Sequence, residues 1–364
     1  MLNIIRVLLG LLMFGYLMPT FALEGETIVF NPTTGNYLIT YLKSRDKKFH
    51  QITFIPATKI NPTIKNKLKL DSGGIVYYDY RLMSGGDSKQ MIVNILLDPV
   101  SSVATSLPDV PLNAPPGKIM EDMIDVANHF YTPPHWAATM GYSDGQMSFR
   151  IGWYYNSDTY NSDTGLAPGS NAVFGFKSRD LPGIILAEVE GYAPDSKEIA
   201  GEEIDDEDGG FGQQYMELVS RKNFVGRNAA VPAIAVPTPF DAAVLLDRVR
   251  TQVATWPSKQ LLDPAFVTQL DRSMAAAANA YRLNQPKAGR EHIESLRKLL
   301  EHEHRFLDHD DEDNDDTPEH KAATRLTIDR LAARVLDFDL RYVLKRTEKE
   351  HEHDHDEGDR RKER

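Results

Sequence analysis

Cysteine is absent from the 364 residues of the chain. That excludes disulfides, thiolate zinc sites, a cysteine nucleophile and an acylated lipoprotein anchor, so stability outside the cytoplasm must come from packing. Excess positive charge is missing too, with 41 Lys and Arg against 53 Asp and Glu and a net charge of −12. Such a chain has no basic domain to neutralise phosphates, and no nucleic acid partner is expected. Long apolar runs are scarce. The conspicuous one, Val7 to Met18, follows Arg6 and leads into Thr20-Phe21-Ala22, the pattern of a signal peptide over residues 1–22. It is short for a hydrocarbon core of roughly 30 Å and has no strong positive flank after it. The expected product is secreted or periplasmic, with no integral membrane segment after cleavage.

What remains is enough for two domains with real cores, and 41% hydrophobic residues argue for a folded chain. Residues 23–200 read as short β runs at Thr27–Phe30, Tyr37–Leu42, Gln51–Ile55, Gly74–Leu82, Met91–Leu97, Met147–Tyr155, Val173–Phe176 and Ile184–Val189. Turn-rich stretches such as Asn31-Pro32-Thr33-Thr34-Gly35-Asn36 separate them. Strands at this spacing without interleaved helices predict an antiparallel β-sandwich, immunoglobulin-like or related, with sub-parts 23–106 and 107–200. Leu107–Pro116 reads as a connector, and Lys118–Tyr131 fits either helix or strand. Over 201–237 an acidic loop is followed by a strand and by Val231–Thr238, whose Pro, Ala and Val alternate as in a semi-rigid spacer.

From residue 238 to 346 the period changes to three and four. Asp263-Pro264 is a helix start, because Asp can cap an orphan N–H and Pro at the first position loses nothing. Phe266, Leu270, Met274, Ala277 and Tyr281 then share one face. A second helix turns Ile293, Leu296, Leu299 and Leu300 inward, and a third, after Thr317-Pro318, spaces Ile328, Leu331, Val335, Phe338 and Tyr342. An earlier helix starts at Thr238-Pro239 and carries Leu245, Val249, Val253 and Trp256. These stripes predict a small helical bundle. Thr347–Arg364, with no apolar periodicity, reads as a disordered tail.

The run Asp263-Pro264-Ala265-Phe266 with Leu270, Ala275–Tyr281, Gln285, Ala288, Leu296, Leu300, Ile328-Asp329-Arg330-Leu331-Ala332, Leu340 and Val343 resembles the FIMAH-type helical module. That module is appended to secreted bacterial proteins, including glycosidases. The resemblance implies an accessory module on an exported protein and carries over no catalytic residue. Trp153, Gly165-Leu166-Ala167-Pro168-Gly169, Phe174-Gly175-Phe176 and Leu181-Pro182-Gly183 are similar to a recurring region of uncharacterised exported bacterial β-proteins.

Three patterns could carry chemistry. Gly141-Tyr142-Ser143-Asp144-Gly145 matches a nucleophile elbow, which needs a strand before the serine and a helix after it; here a strand follows, and the reading is a turn. Seven of eleven histidines fall in two acidic tracts, His302, His304, His309 and His320, then His351, His353 and His355. With Asp308, Asp310 and Asp311 they are candidate ligands for Zn, Cu or Ni, or else solvated low-complexity charge. Asp311-Glu312-Asp313-Asn314-Asp315 begins like a Ca loop, but Asp316 stands where glycine is needed and Ala322 where a bidentate Glu belongs, which excludes an EF-hand and leaves loose Ca association by the acidic run or simple counterion condensation. The Asn156-Ser157-Asp158-Thr159 and Asn161-Ser162-Asp163-Thr164 duplicate reads as a surface loop. No cofactor is required by these patterns. The expected function is a non-enzymatic binding or surface-association protein with an extracytoplasmic protein or glycan ligand. A divalent-metal-binding protein and a secreted hydrolase are the alternatives.

Overall fold

A computed structural model of the chain describes residues 25–43, 47–100, 130–142, 149–156, 164–193, 211–220, 224–303 and 327–362. The expected signal peptide, the Leu107–Pro116 connector, residues 118–129 and the Thr317-Pro318 start lie outside the described residues.

Three antiparallel sheets and a group of helices make up the described chain. Strands β1 (Thr27–Asn31), β2 (Asn36–Lys43) and β3 (Lys48–Phe54) form the first sheet as a meander. Its first turn is built by Asn31, whose Oδ1 accepts from the Thr33 and Thr34 amides at 3.0 and 3.2 Å. The second sheet contains β4 (Pro62–Leu70), β5 (Val76–Ser84), β7 (Phe130–Tyr131) and β10 (Asn171–Ser178), in the order β4-β5-β10-β7. The third contains β6 (Ile92–Val100), β8 (Trp136–Tyr142), β9 (Phe149–Tyr155), β11 (Leu181–Gly191) and β12 (Phe224–Ile234), in the order β12-β11-β6-β9-β8.

The second and third sheets face one another across an aromatic core. Trp153 of β9 meets Tyr80, Phe130, Phe174 and Phe176 of the opposite sheet at ring-centroid distances of 5.9, 6.0, 5.5 and 6.2 Å. Alternation dictates this: Tyr78, Tyr80 and Leu82 are fully buried while Tyr77, Asp79 and Arg81 between them are not. Polar stitches close one side, where Tyr80 donates to the Ala230 carbonyl at 2.8 Å and the Ala230 amide donates to Asn66 Oδ1 at 3.1 Å. Buried backbone and hydroxyl groups need such partners.

The helices are α1 (Phe211–Ser220), α2 (Ala242–Val253), α3 (Pro264–Arg282), α4 (Pro286–Glu303) and α5 (Arg330–Lys362). Asp263 caps α3 as its sequence predicts, accepting from the Ala265 amide at 2.8 Å. The cap of α2 is Asp241, bonded to the Val244 amide at 3.0 Å, so that helix starts three residues after the expected Thr238-Pro239. Trp256, expected on α2, is buried in a separate 3₁₀ turn, Trp256–Lys259. Helices α4 and α5 run antiparallel, joined by Arg297–Asp337 at 2.7 Å and by an Arg290–Glu348 ion pair.

Three differences from the sequence reading matter. Val231–Ile234 is not spacer: it completes β12, with Ala229, Ala230 and Val231 fully buried. Nor do the β and helical regions have separate cores, because one continuous apolar cluster runs from Tyr80 and Trp153 through Leu245 and Leu270 to Leu336 and Leu340. Gly183 makes the junction possible; a Cβ there would stand 2.5 Å from Gln252 of α2 and 2.6 Å from Ala233. A satellite cluster of Ile39, Tyr41, Phe54, Phe211 and Tyr215 holds α1 against the first sheet. The tail, read as disordered, continues α5 as helix to Lys362. Its Glu, Lys and Arg are good helix formers, and extending an anchored helix avoids the nucleation cost.

Candidate functional site

The outer face of the second sheet is the candidate site. Along β4, Ile64, Asn66 and Leu68 face inward, which sends Lys65, Lys67 and Lys69 outward. Strand register then sets their neighbours. One row reads Lys65, Arg81, Val173; the next Lys67, Asp79, Gly175, Tyr131; the third Lys69, Tyr77, Lys177. Neighbours are about 4.8 Å apart across strands, and successive rows about 6.8 Å apart along them.

The grid thus groups five cations around one acid on a chain whose net charge is −12. Lys69 reaches Asp79 at 3.7 Å, an exposed pair of small energetic weight. Lys177 lies 5.1 Å from the Tyr77 ring centroid, within cation–π range. Tyr131 is 59% exposed at the end of the middle row. Gly175 leaves room for Asp79 between them, since a Cβ there would meet Asp79 Oδ1 at 3.0 Å and the Tyr78 carbonyl at 2.7 Å.

The outer face of the third sheet has the opposite sign. Glu188 and Glu190 project from β11, near Asp98 of β6, and Asn94 Nδ2 donates to Glu190 Oε2 at 3.2 Å. Burial raises the Glu190 carboxyl, partly offset by the Asn94 bond. Burial also raises Glu188, with help from Asp98 and Glu190. Deeper still, Asp339 of α5 is fully buried, its Oδ1 has no hydrogen-bond partner among the described residues, and burial pushes its carboxyl well up.

Of the candidate metal ligands, the described residues include His302 and the backbone of His351, His353 and His355. His302 ends α4, and the backbone of His351, His353 and His355 lies in the last turns of α5. Because α4 and α5 are antiparallel, these positions sit toward opposite ends of the pair, on the order of 30 Å apart by helical rise. His304, Asp308, His309, Asp310, Asp311 and His320 lie outside the described residues, as does Ser143 of the elbow pattern, whose flanks are strands β8 and β9. Among the described residues no group of three or more His, Asp or Glu is placed to hold a metal ion. Among them, too, no helix is long and apolar enough to cross a membrane.

The sequence reading passed over β4 altogether. Its signal was there: Ile64-Lys65-Asn66-Lys67-Leu68-Lys69-Leu70 alternates apolar or amide with lysine without a break. The chain matches no family model, no curated protein and no solved structure.

Proposed function

We propose that the chain is an exported, non-enzymatic binding protein that associates with an acidic glycan through the outer face of its second sheet. The carrying observation is the in-register grid of Lys65, Lys67, Lys69, Arg81 and Lys177 with Tyr77 and Tyr131 on an otherwise acidic molecule. Three lysines repeating along one strand suit a polymer whose negative charges also repeat. Tyrosine faces offer flat apolar platforms for sugar rings, and the negative charge elsewhere disfavours indiscriminate binding of polyanions. In the same reading residues 1–22 are a signal peptide and the destination is secreted or periplasmic. The second and third sheets are the leaves of an immunoglobulin-like or related sandwich. The helices are a FIMAH-type accessory module, for which the buried Phe266, Leu270 and Met274 are support.

A hydrolase is the second reading, carried by Glu188 beside Glu190. Two residues apart on one strand, they project from the same face with Cα atoms about 6.8 Å apart, and glycosidases act through a pair of neighbouring carboxylates. Hydrolysis of the glycan that Glu188→Gln abolishes would favour it.

The test of binding is retention of the full chain on polygalacturonate against neutral dextran and duplex DNA. Retention is expected on polygalacturonate alone and should weaken as salt shortens the Debye length below about 8 Å. Combined Lys65→Glu, Lys67→Glu and Lys69→Glu should reduce it at least tenfold. Equal retention on DNA, or none on polygalacturonate, overturns the reading.

A further inference from the structure

The inward edge of β4 opens on a second feature. A cleft of about 120 Å³ lies between β4 and α5, floored by Asn66 and Leu68 and walled by Leu331, Arg334, Phe338 and Arg341. Its size is well below the roughly 300–1,000 Å³ of drug-sized pockets, so an occupant must be small.

Its polar groups are unevenly satisfied. Asn66 is 8% exposed; its Oδ1 is engaged by the Ala230 amide at 3.1 Å, but its buried Nδ2 has no acceptor among the described residues. Leaving such a donor empty costs free energy comparable to a lost hydrogen bond. Arg334, half-buried, makes no ion pair among the described residues. The one carboxylate on the wall, Asp337, is already held by Arg297 at 2.7 Å and Arg341 at 2.6 Å. Among the described residues, the cleft therefore has on its floor a buried amide donor without an acceptor and on its wall a guanidinium without a counterion, beside a carboxylate whose charge is answered. The half-buried Leu68, Leu331 and Phe338 supply an apolar wall.

The geometry points to a binding site for a small carboxylate with a short aliphatic tail, its oxygens on Asn66 Nδ2 and Arg334 and its tail on Leu68, Leu331 and Phe338. A guanidinium and an amide donor suit a carboxylate's paired acceptor oxygens. The apolar wall selects against a bare inorganic anion. This site is independent of the outer lysines, which point the other way from the same strand.

Isothermal titration of the full chain with isobutyrate, isobutyramide and inorganic phosphate tests it. Saturable one-to-one binding of isobutyrate is expected, with the amide and phosphate at least tenfold weaker. Asn66→Asp keeps the acceptor for Ala230 and replaces the free donor with a like charge; it should remove isobutyrate binding. Arg334→Gln, a milder change, should weaken it at least tenfold and serves if Asn66→Asp does not fold. The triple lysine-to-glutamate variant should bind isobutyrate as the parent does. No saturable binding, equal binding of the amide or phosphate, or full binding by folded Arg334→Gln overturns the assignment.

Discussion

On the outer face of the second sheet, Lys65, Lys67, Lys69, Arg81 and Lys177 surround a single acid among the described residues, whereas the outer face of the third carries Glu188, Glu190 and Asp98 beside exposed Tyr154 and Leu186. Both sheets are antiparallel, and the inner faces of both pack into the same apolar cluster. Packing therefore fixes the inward residues of each strand and leaves the alternate ones to carry charge of either sign. A pair of sheets on one core can thus hold two electrostatically opposed surfaces without conflict between them.

The comparison breaks most completely if the shared core is removed. Trp153 is fully buried among rings from both sheets. Trp153→Ala should cost about 3–5 kcal/mol, measured by urea denaturation, and should abolish glycan retention with it. A folded, stable variant that loses only retention would mean that the sheets do not depend on one core.

Asp339 sharpens the contrast between buried and surface acids. Its carboxyl is raised by burial, so the folded chain holds that proton more tightly than the unfolded one. The resulting penalty is absent below the unfolded carboxyl pKa and accumulates as pH rises through the folded value. Asp339→Asn removes the ionisable group and should therefore stabilise the protein at neutral pH, read as a rise in Tm. The gain in Tm should shrink as pH falls; a destabilised variant would mean that the carboxylate has a partner in solution. By contrast, Lys67→Glu at a half-buried position of the lysine grid should change stability by less than about 0.5 kcal/mol while weakening polygalacturonate retention severalfold. Loss of both together would place Lys67 in the fold rather than on the binding face.

Local signals were legible where one residue type settles one geometry. Asp263-Pro264 announced the start of α3, and the stripe Phe266, Leu270, Met274, Ala277 its buried face. Long-range pairing was not legible: that β10 lies between β5 and β7, setting Lys177 beside Tyr77, follows from register and not from anything within Asn171–Ser178. β12 was misread because Pro232 and its alanines look like a spacer. The order of the third sheet removes the puzzle, since β12 is an edge strand, where a missing N–H is tolerated. The site was half legible. The lysine alternation of β4 can be seen in sequence, but the orphan amide of Asn66 appears only once α5 is packed above it, more than 260 residues later.

The acidic face offers the subtlest test. Burial raises both Glu188 and Glu190, so each holds its proton more tightly folded than unfolded. Below an unfolded Glu pKa of about 4.3, both states are protonated and the pair contributes nothing. As pH rises through the folded values, the unfolded chain ionises first and stability falls, then levels once both states are charged. Other groups titrate in the same range, so the difference between variant and parent is the informative quantity. Glu188→Gln with Glu190→Gln should match the parent in Tm near the unfolded value and exceed it slightly toward neutrality. Glu190 should dominate, being the more buried of the two, with Asn94 still able to donate to glutamine's carbonyl.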